Sequence, residues 1–109
     1  ADKIANFSQI GKHVSVTAPG VNILSTFPLY QNGIGQKEYG KISGTSMACP
    51  YVSGLATLLR ATKPSLKAAE VRSIIEKTAD DKGAAGFDTT YGNGRVNVLK
   101  ALQAVQAIK

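Results

Sequence analysis

Apolar and polar positions change their rhythm once along the chain, near residue 43. Before it, short β-type runs alternate with turns. Ile4–Phe7 and His13–Val16 have strand character, punctuated by Gly11 and by an Ala18-Pro19-Gly20 turn, and Val21–Phe27 is a third strand candidate. Tyr30–Gly40, with Gly33, Gly35 and Gly40 among polar residues, reads as an exposed loop. After Gly44 the apolar spacing becomes helical. Ser46–Arg60 carries Met47, Ala48, Cys49, Val52, Leu55, Ala56, Leu58 and Leu59, an apolar surface wide enough for a buried helix. Thr45 is a candidate N-cap, and Pro50 falls in the first turns, where its missing N–H is expected to cost least. A second helix is expected from about Leu66 to Thr78, with Val71, Ile74 and Ile75 on one face. Ser65 or Lys67 lies at its start, and Ser65 is the better cap chemically. Asp80–Thr90 reads as a polar loop. Tyr91-Gly92-Asn93-Gly94 is a turn into a short strand, Arg95–Asn97. Asn97 then caps a last helix with the face Val98, Leu102, Val105 and Ile108.

The 109 residues suit one small unit, with 43% apolar and 18% charged residues, an ordinary globular balance. No stretch approaches the roughly 20 apolar residues of a membrane span. Cys49 is the single cysteine and His13 the single histidine, so neither an intrachain disulfide nor a cysteine-based zinc site is available. The net charge of +6 comes from 13 basic and 7 acidic residues. The basic residues are scattered and no aromatics interleave with them, so a solvated surface is expected rather than a nucleic-acid platform. Ala1–Ile10 has no apolar signal-peptide core, and the absence of an initial methionine suggests a processed product or an excised piece.

One stretch carries chemistry. Gly44-Thr45-Ser46-Met47-Ala48 puts a serine at a helix start, directly after a glycine and a threonine. N–H groups of a first helical turn have no intrahelical partner, and the helix dipole adds partial positive charge there. A Ser46 hydroxyl so placed can attack a carbonyl, while the Ser46 backbone N–H steadies the negative oxygen that develops. Gly44 leaves room for a substrate backbone. The plainer reading of Ser46 is a helix-start residue, since serine and threonine are common there.

The longer string Ser43-Gly44-Thr45-Ser46-Met47-Ala48-Cys49-Pro50-Tyr51-Val52-Ser53-Gly54 closely resembles the nucleophile signature of the subtilisin-like serine proteases, the subtilases. Tyr51 departs from it, standing where that family usually has a histidine that is not the catalytic one. Val16-Thr17-Ala18-Pro19-Gly20-Val21, Lys63–Thr78 and Tyr91–Asn97 are similar to the family's flanking segments in order and spacing, so the likeness covers nearly the whole chain.

The resemblance implies an α/β fold, with residues 1–109 as the C-terminal part of a three-layer α/β/α sandwich around a mostly parallel sheet. It implies a serine endopeptidase that hydrolyses peptide bonds through an acyl-enzyme on Ser46, with Gly44, Thr45 and Met47 lining the site. The family's aspartate, histidine and oxyanion asparagine would lie upstream of Ala1, so the chain alone is expected to be inactive, and the parent is expected to be secreted. An internal triad of Asp2, His13 and Ser46 has the right order but lacks the family's sequence contexts, and His13 reads better as a turn or strand-edge residue. Cys49 reads as a small packed residue on a buried helix, and Met47 as oxidisable. No cofactor is expected. The acidic residues from Asp80 to Asp88 lack a calcium-loop pattern, so no metal is expected either. The alternative is a non-catalytic structural or complementing fragment. It would use the apolar surface of the Ser46 helix to join the N-terminal portion of the domain or a second copy of itself.

Overall fold

The computed structural model describes residues 2–31, 33, 35 and 38–109. In chain order its elements are strands β1 (Ile23–Thr26) and β2 (Tyr39–Ile42) and helices α1 (Thr45–Thr62), α2 (Ala68–Thr78) and α3 (Val98–Gln106). Each helix sends one i, i+4 pair into a common core: Leu55 and Leu59, Val71 and Ile75, Ala101 and Val105. Leu66, just ahead of α2, and Val96, just ahead of α3, complete it. Leu59 and Ala101 are fully covered. A leucine buried to this degree contributes roughly 1.5–3 kcal/mol relative to an exposed one, so the three mutually packed helices hold most of the apolar stabilisation.

The helix starts differ from expectation in instructive ways. Thr45 is the first helical residue of α1 and not its cap; Gly44 occupies the cap position without a side-chain bond. Pro50 is therefore the sixth residue of α1. That is one turn too deep for its missing N–H to be free of cost, so the Ser46 carbonyl loses its usual i+4 donor. For α2 the cap is Lys67, not Ser65. The Lys67 N–H donates to Glu70 Oε1 at 3.0 Å, so the acidic side chain in the first turn does the capping from inside. Asn97 caps α3 as its chemistry predicts, its Oδ1 accepting the Lys100 N–H at 2.9 Å. Ile108 lies beyond the end of α3 and is exposed.

Among the described residues the only named sheet is the antiparallel pair β1–β2, in register Ile23↔Ile42 to Thr26↔Tyr39. The mostly parallel sheet is not present there. Its one parallel pairing is the bridge between Thr17 and Arg95. Around it, the Thr17 N–H donates to Gly94 O at 2.9 Å and the Val96 N–H to Thr17 O at 2.9 Å, while Arg95 and Asp80 exchange a pair of backbone bonds on the other side. Residues 93–96 thus lie between two neighbouring segments, each pairing too short to count as a strand. Gly94 makes this possible: its φ is +119, and any Cβ would collide with the Asp80 backbone. The expected strands Ile4–Phe7 and His13–Val16 do not form; His13–Val16 has an isolated cross-segment bond, from the Asn93 N–H to Ser15 O at 2.8 Å, rather than a ladder. The expected loop Tyr30–Gly40 ends in β2 instead. Part of it, residues 32, 34, 36 and 37, lies outside the described residues.

Candidate active site

The start of α1 is built by the hairpin. Antiparallel pairing that begins at Ile23↔Ile42 runs on past the sheet, where the Asn22 N–H donates to Ser43 Oγ at 2.8 Å and the Gly44 N–H to Gly20 O at 2.8 Å. Asn22 sits at φ +52, a left-handed conformation that asparagine tolerates better than most side chains. Gly20 must be small. A Cβ there would stand 2.9 Å from Gly44 O and 3.3 Å from the Ala48 Cβ. The expected Ala18-Pro19-Gly20 turn does not form; the chain bends at Val21 and Asn22 instead, and Gly20 lies directly against the Gly44 backbone.

Ser46 is the second residue of α1 and is exposed, and Met47 beside it is half-buried. The Met47 N–H turns back on Gly44 O at 3.0 Å. The Thr45 and Ser46 N–H groups find no protein acceptor among the described residues, so two free donors stand beside the Ser46 hydroxyl at the positive end of an 18-residue helix. No acidic side chain occupies that first turn to neutralise it. The arrangement can receive a negative oxygen where a hydroxyl nucleophile is at hand.

A cleft of about 520 Å³ opens beside this helix start. Its wall includes Gly44, Thr45, Ala48 and Cys49 from the turn and α1, together with His13 and Gly20; Ser46 and Met47 lie outside that lining. Of the residues singled out from the sequence, Gly44 and Thr45 thus border the cleft, while Ser46 faces solvent. Cys49 is exposed, contrary to the packed position expected of it. In α1 Leu55 and Leu59 are buried, with Val52 and Ala56 half-buried against the same core, and α2 and α3 cover that one face, so Tyr51 and Leu58 stay exposed.

The chain's own aspartate and histidine do not join Ser46. Asp2 is held by Arg95 Nη1 at 2.7 Å and by Lys82 Nζ at 3.2 Å, and its pKa is lowered chiefly by the hydrogen bond from Arg95. Among the described residues no hydrogen bond links His13 to Asp2 or to Ser46. Arg95 also binds Asp80 at 2.9 Å, and Asp80 accepts from Lys100 Nζ at 2.6 Å and from Asn97 Nδ2 at 3.0 Å. The Lys100 bond, followed by that of Asn97, brings the Asp80 carboxyl down to about 2. Sequence reading missed this network. Its signal was Asp80, Arg95, Asn97 and Lys100 flanking one turn, but only the fold shows that they share a carboxylate.

A mixed α/β chain thus offers a serine hydroxyl and two free amides at one helix start. The chain belongs to the subtilase family, whose model matches residues 1–94. It is 40% identical to a subtilisin from Bacillus pumilus over 94% of its own length and 34% of that protein. Two solved structures share its fold. Fervidolysin from Fervidobacterium pennivorans, a keratinolytic enzyme related to subtilisin, is 36% identical with a TM-score of 0.81, the match covering 93% of this chain and 17% of that one. A lanthipeptide protease is 28% identical with a TM-score of 0.84, over 94% of this chain and 39% of the other. The chain thus spans about a third of the length of the subtilisin it matches. Mixed helix and strand structure agrees with these α/β neighbours.

Proposed function

We propose that residues 1–109 form the C-terminal segment of a subtilisin-like serine endopeptidase domain and carry its nucleophile. Ser46 Oγ attacks the carbonyl carbon of a polypeptide substrate, giving its proton to a histidine base. The carbonyl oxygen becomes an oxyanion and takes up the Ser46 N–H. Collapse of this intermediate expels the amine, which receives the proton from the histidine, and leaves an acyl group on Ser46. Water, activated by the same base, then releases the acid and restores the hydroxyl. Gly44, Thr45 and Met47 line the site. The histidine, its aspartate partner and an oxyanion asparagine come from chain outside these 109 residues, so the 109-residue chain by itself is inactive. Kinship with subtilisins also favours an extracellular setting, and none of the described helices is long and apolar enough to cross a membrane.

The observation that carries this reading is the exposed Ser46 hydroxyl beside the unpaired Thr45 and Ser46 amides. It is tested on the complete protease with a fluorophosphonate probe and a fluorogenic peptide. Mass spectrometry is expected to place the label on Ser46, and Ser46→Ala is expected to lower kcat about a millionfold. Label on another residue, or turnover surviving in Ser46→Ala, overturns the reading. A second reading, a complementing module, rests on the open face of α1: Tyr51 and Leu58 are 45% and 48% exposed, a surface suited to the N-terminal portion of the domain or to a second copy.

A further inference from the structure

The nucleophile turn contains one side chain that the proposed reaction leaves unused. Ser43 ends the run that links β2 to α1, and its hydroxyl oxygen accepts the Asn22 N–H at 2.8 Å. One residue further on, the Gly44 N–H is bound to Gly20 O at 2.8 Å. These bonds continue the hairpin but not its register. Asn22 opposite Ser43 keeps the spacing of Ile23↔Ile42, whereas Gly20 opposite Gly44 is displaced by one residue. The slip falls at Val21, and the left-handed Asn22 accommodates it. A backbone that leaves a sheet at such a slip has no ladder to define its direction. Hydrogen-bonded pairs alternate along an antiparallel ladder, and the Phe27 N–H to Glu38 O bond places Asn22–Ser43 between two of them, so the Ser43 hydroxyl adds a bond where the ladder supplies none, in the last residue before the glycine that caps α1.

We infer that Ser43 is a positioning residue for the nucleophile, an assignment that rests on the reading of Ser46 above. With its hydroxyl in place, the Asn22 and Ser43 backbones are fixed relative to each other, and the Gly20–Gly44 bond fixes the next step. Thr45 and Ser46 then enter α1 in one orientation, their amides and the Ser46 hydroxyl aimed together. Without the hydroxyl, the Ser43–Gly44 turn keeps one bond instead of two, and the Asn22 N–H is left to solvent. Ser43 is exposed, so its removal opens no cavity in the helical core. The effect falls on the alignment of reacting groups, where small displacements cost large factors in rate.

The test compares Ser43→Ala and Ser43→Thr in the complete protease, with Ser46→Ala alongside. Ser43→Ala is expected to lower kcat about tenfold, with KM within about twofold of the parent, because alignment and not substrate binding is lost. Fluorophosphonate labelling of Ser46 is expected to slow by a similar factor. Ser43→Thr keeps the oxygen and is expected to restore both rates to within about twofold. A kcat for Ser43→Ala equal to the parent's, or a threonine variant as slow as the alanine one, overturns the assignment while the nucleophile reading stands. Activity in Ser46→Ala overturns the nucleophile reading itself. Should Ser43→Ala not fold, Ser43→Val and Ser43→Thr, which match in shape and differ in the hydroxyl, decide by the same comparison.

Discussion

Replacing Gly20 by alanine tests how tightly the hairpin is clamped on the Ser43–Gly44 segment that leads into α1. The backbone there is not left-handed, so the substitution adds contact without conformational strain. The added Cβ would meet Gly44 O at 2.9 Å and the Ala48 Cβ at 3.3 Å. An ordinary carbon–oxygen contact needs several tenths of an ångström more, and neither neighbour is a flexible side-chain end: one is a backbone carbonyl, the other sits on the first turn of α1. The carbonyl is also committed, since it accepts the Met47 N–H at 3.0 Å. Overpacking of this kind costs about 1–3 kcal/mol, from which about 0.4–1 kcal/mol is regained through the stiffer unfolded chain. The expected net loss is about 0.5–2 kcal/mol, or roughly 2–15 °C in Tm for a chain this size. Urea denaturation of the 109-residue chain, followed by circular dichroism with an unchanged m-value, measures it. A variant as stable as the parent, or more so, would refute the clamp and with it the claim that Gly20 sets the position of Gly44.

Gly54 provides the opposite case. It lies mid-helix in α1 with no atom within 4 Å of the place a Cβ would take, so Gly54→Ala is expected to stabilise the chain by about 0.5–1 kcal/mol; a loss in the same urea titration would show that another surface covers this face. The acidic limb of stability is set in part by Asp80 and Asp2. Both have folded pKa values below the ordinary 3.8, Asp80 at about 2, so their contribution is complete above about pH 5 and fades as pH falls through the native values. Asp80→Asn is expected to flatten the decline in denaturation midpoint between pH 5 and 2, and an unchanged slope would remove Asp80 from that role.

How much of this was legible in the sequence depends on the range of the interaction. Period-3.6 apolar spacing located all three helices, and the Asn97 cap was readable because a cap bond spans three residues. The start of α2 was not, since its decisive partner was the Glu70 carboxylate inside the helix rather than a side chain ahead of it. β2 was hidden within a glycine-containing polar run, because four half-exposed residues have too weak an alternation to announce a strand before their partner is known. Cys49 was expected to be packed because α1 is apolar on several sides, but burial is decided by what lies opposite, and α2 and α3 cover one face only.

The sequence by itself determined where a serine, a glycine and a helix start coincide, because those are matters of neighbouring residues, and its order and spacing were enough to identify the family. Only the tertiary structure decided how that helix start is held. Gly20 and Asn22 reach Ser43 and Gly44 across more than twenty residues of chain, and Asp2 reaches Arg95 across nearly the full length. No local preference encodes such pairings. They form because the hairpin closes and the helices pack, and these contacts between distant segments hold the backbone that leads into α1 at Thr45.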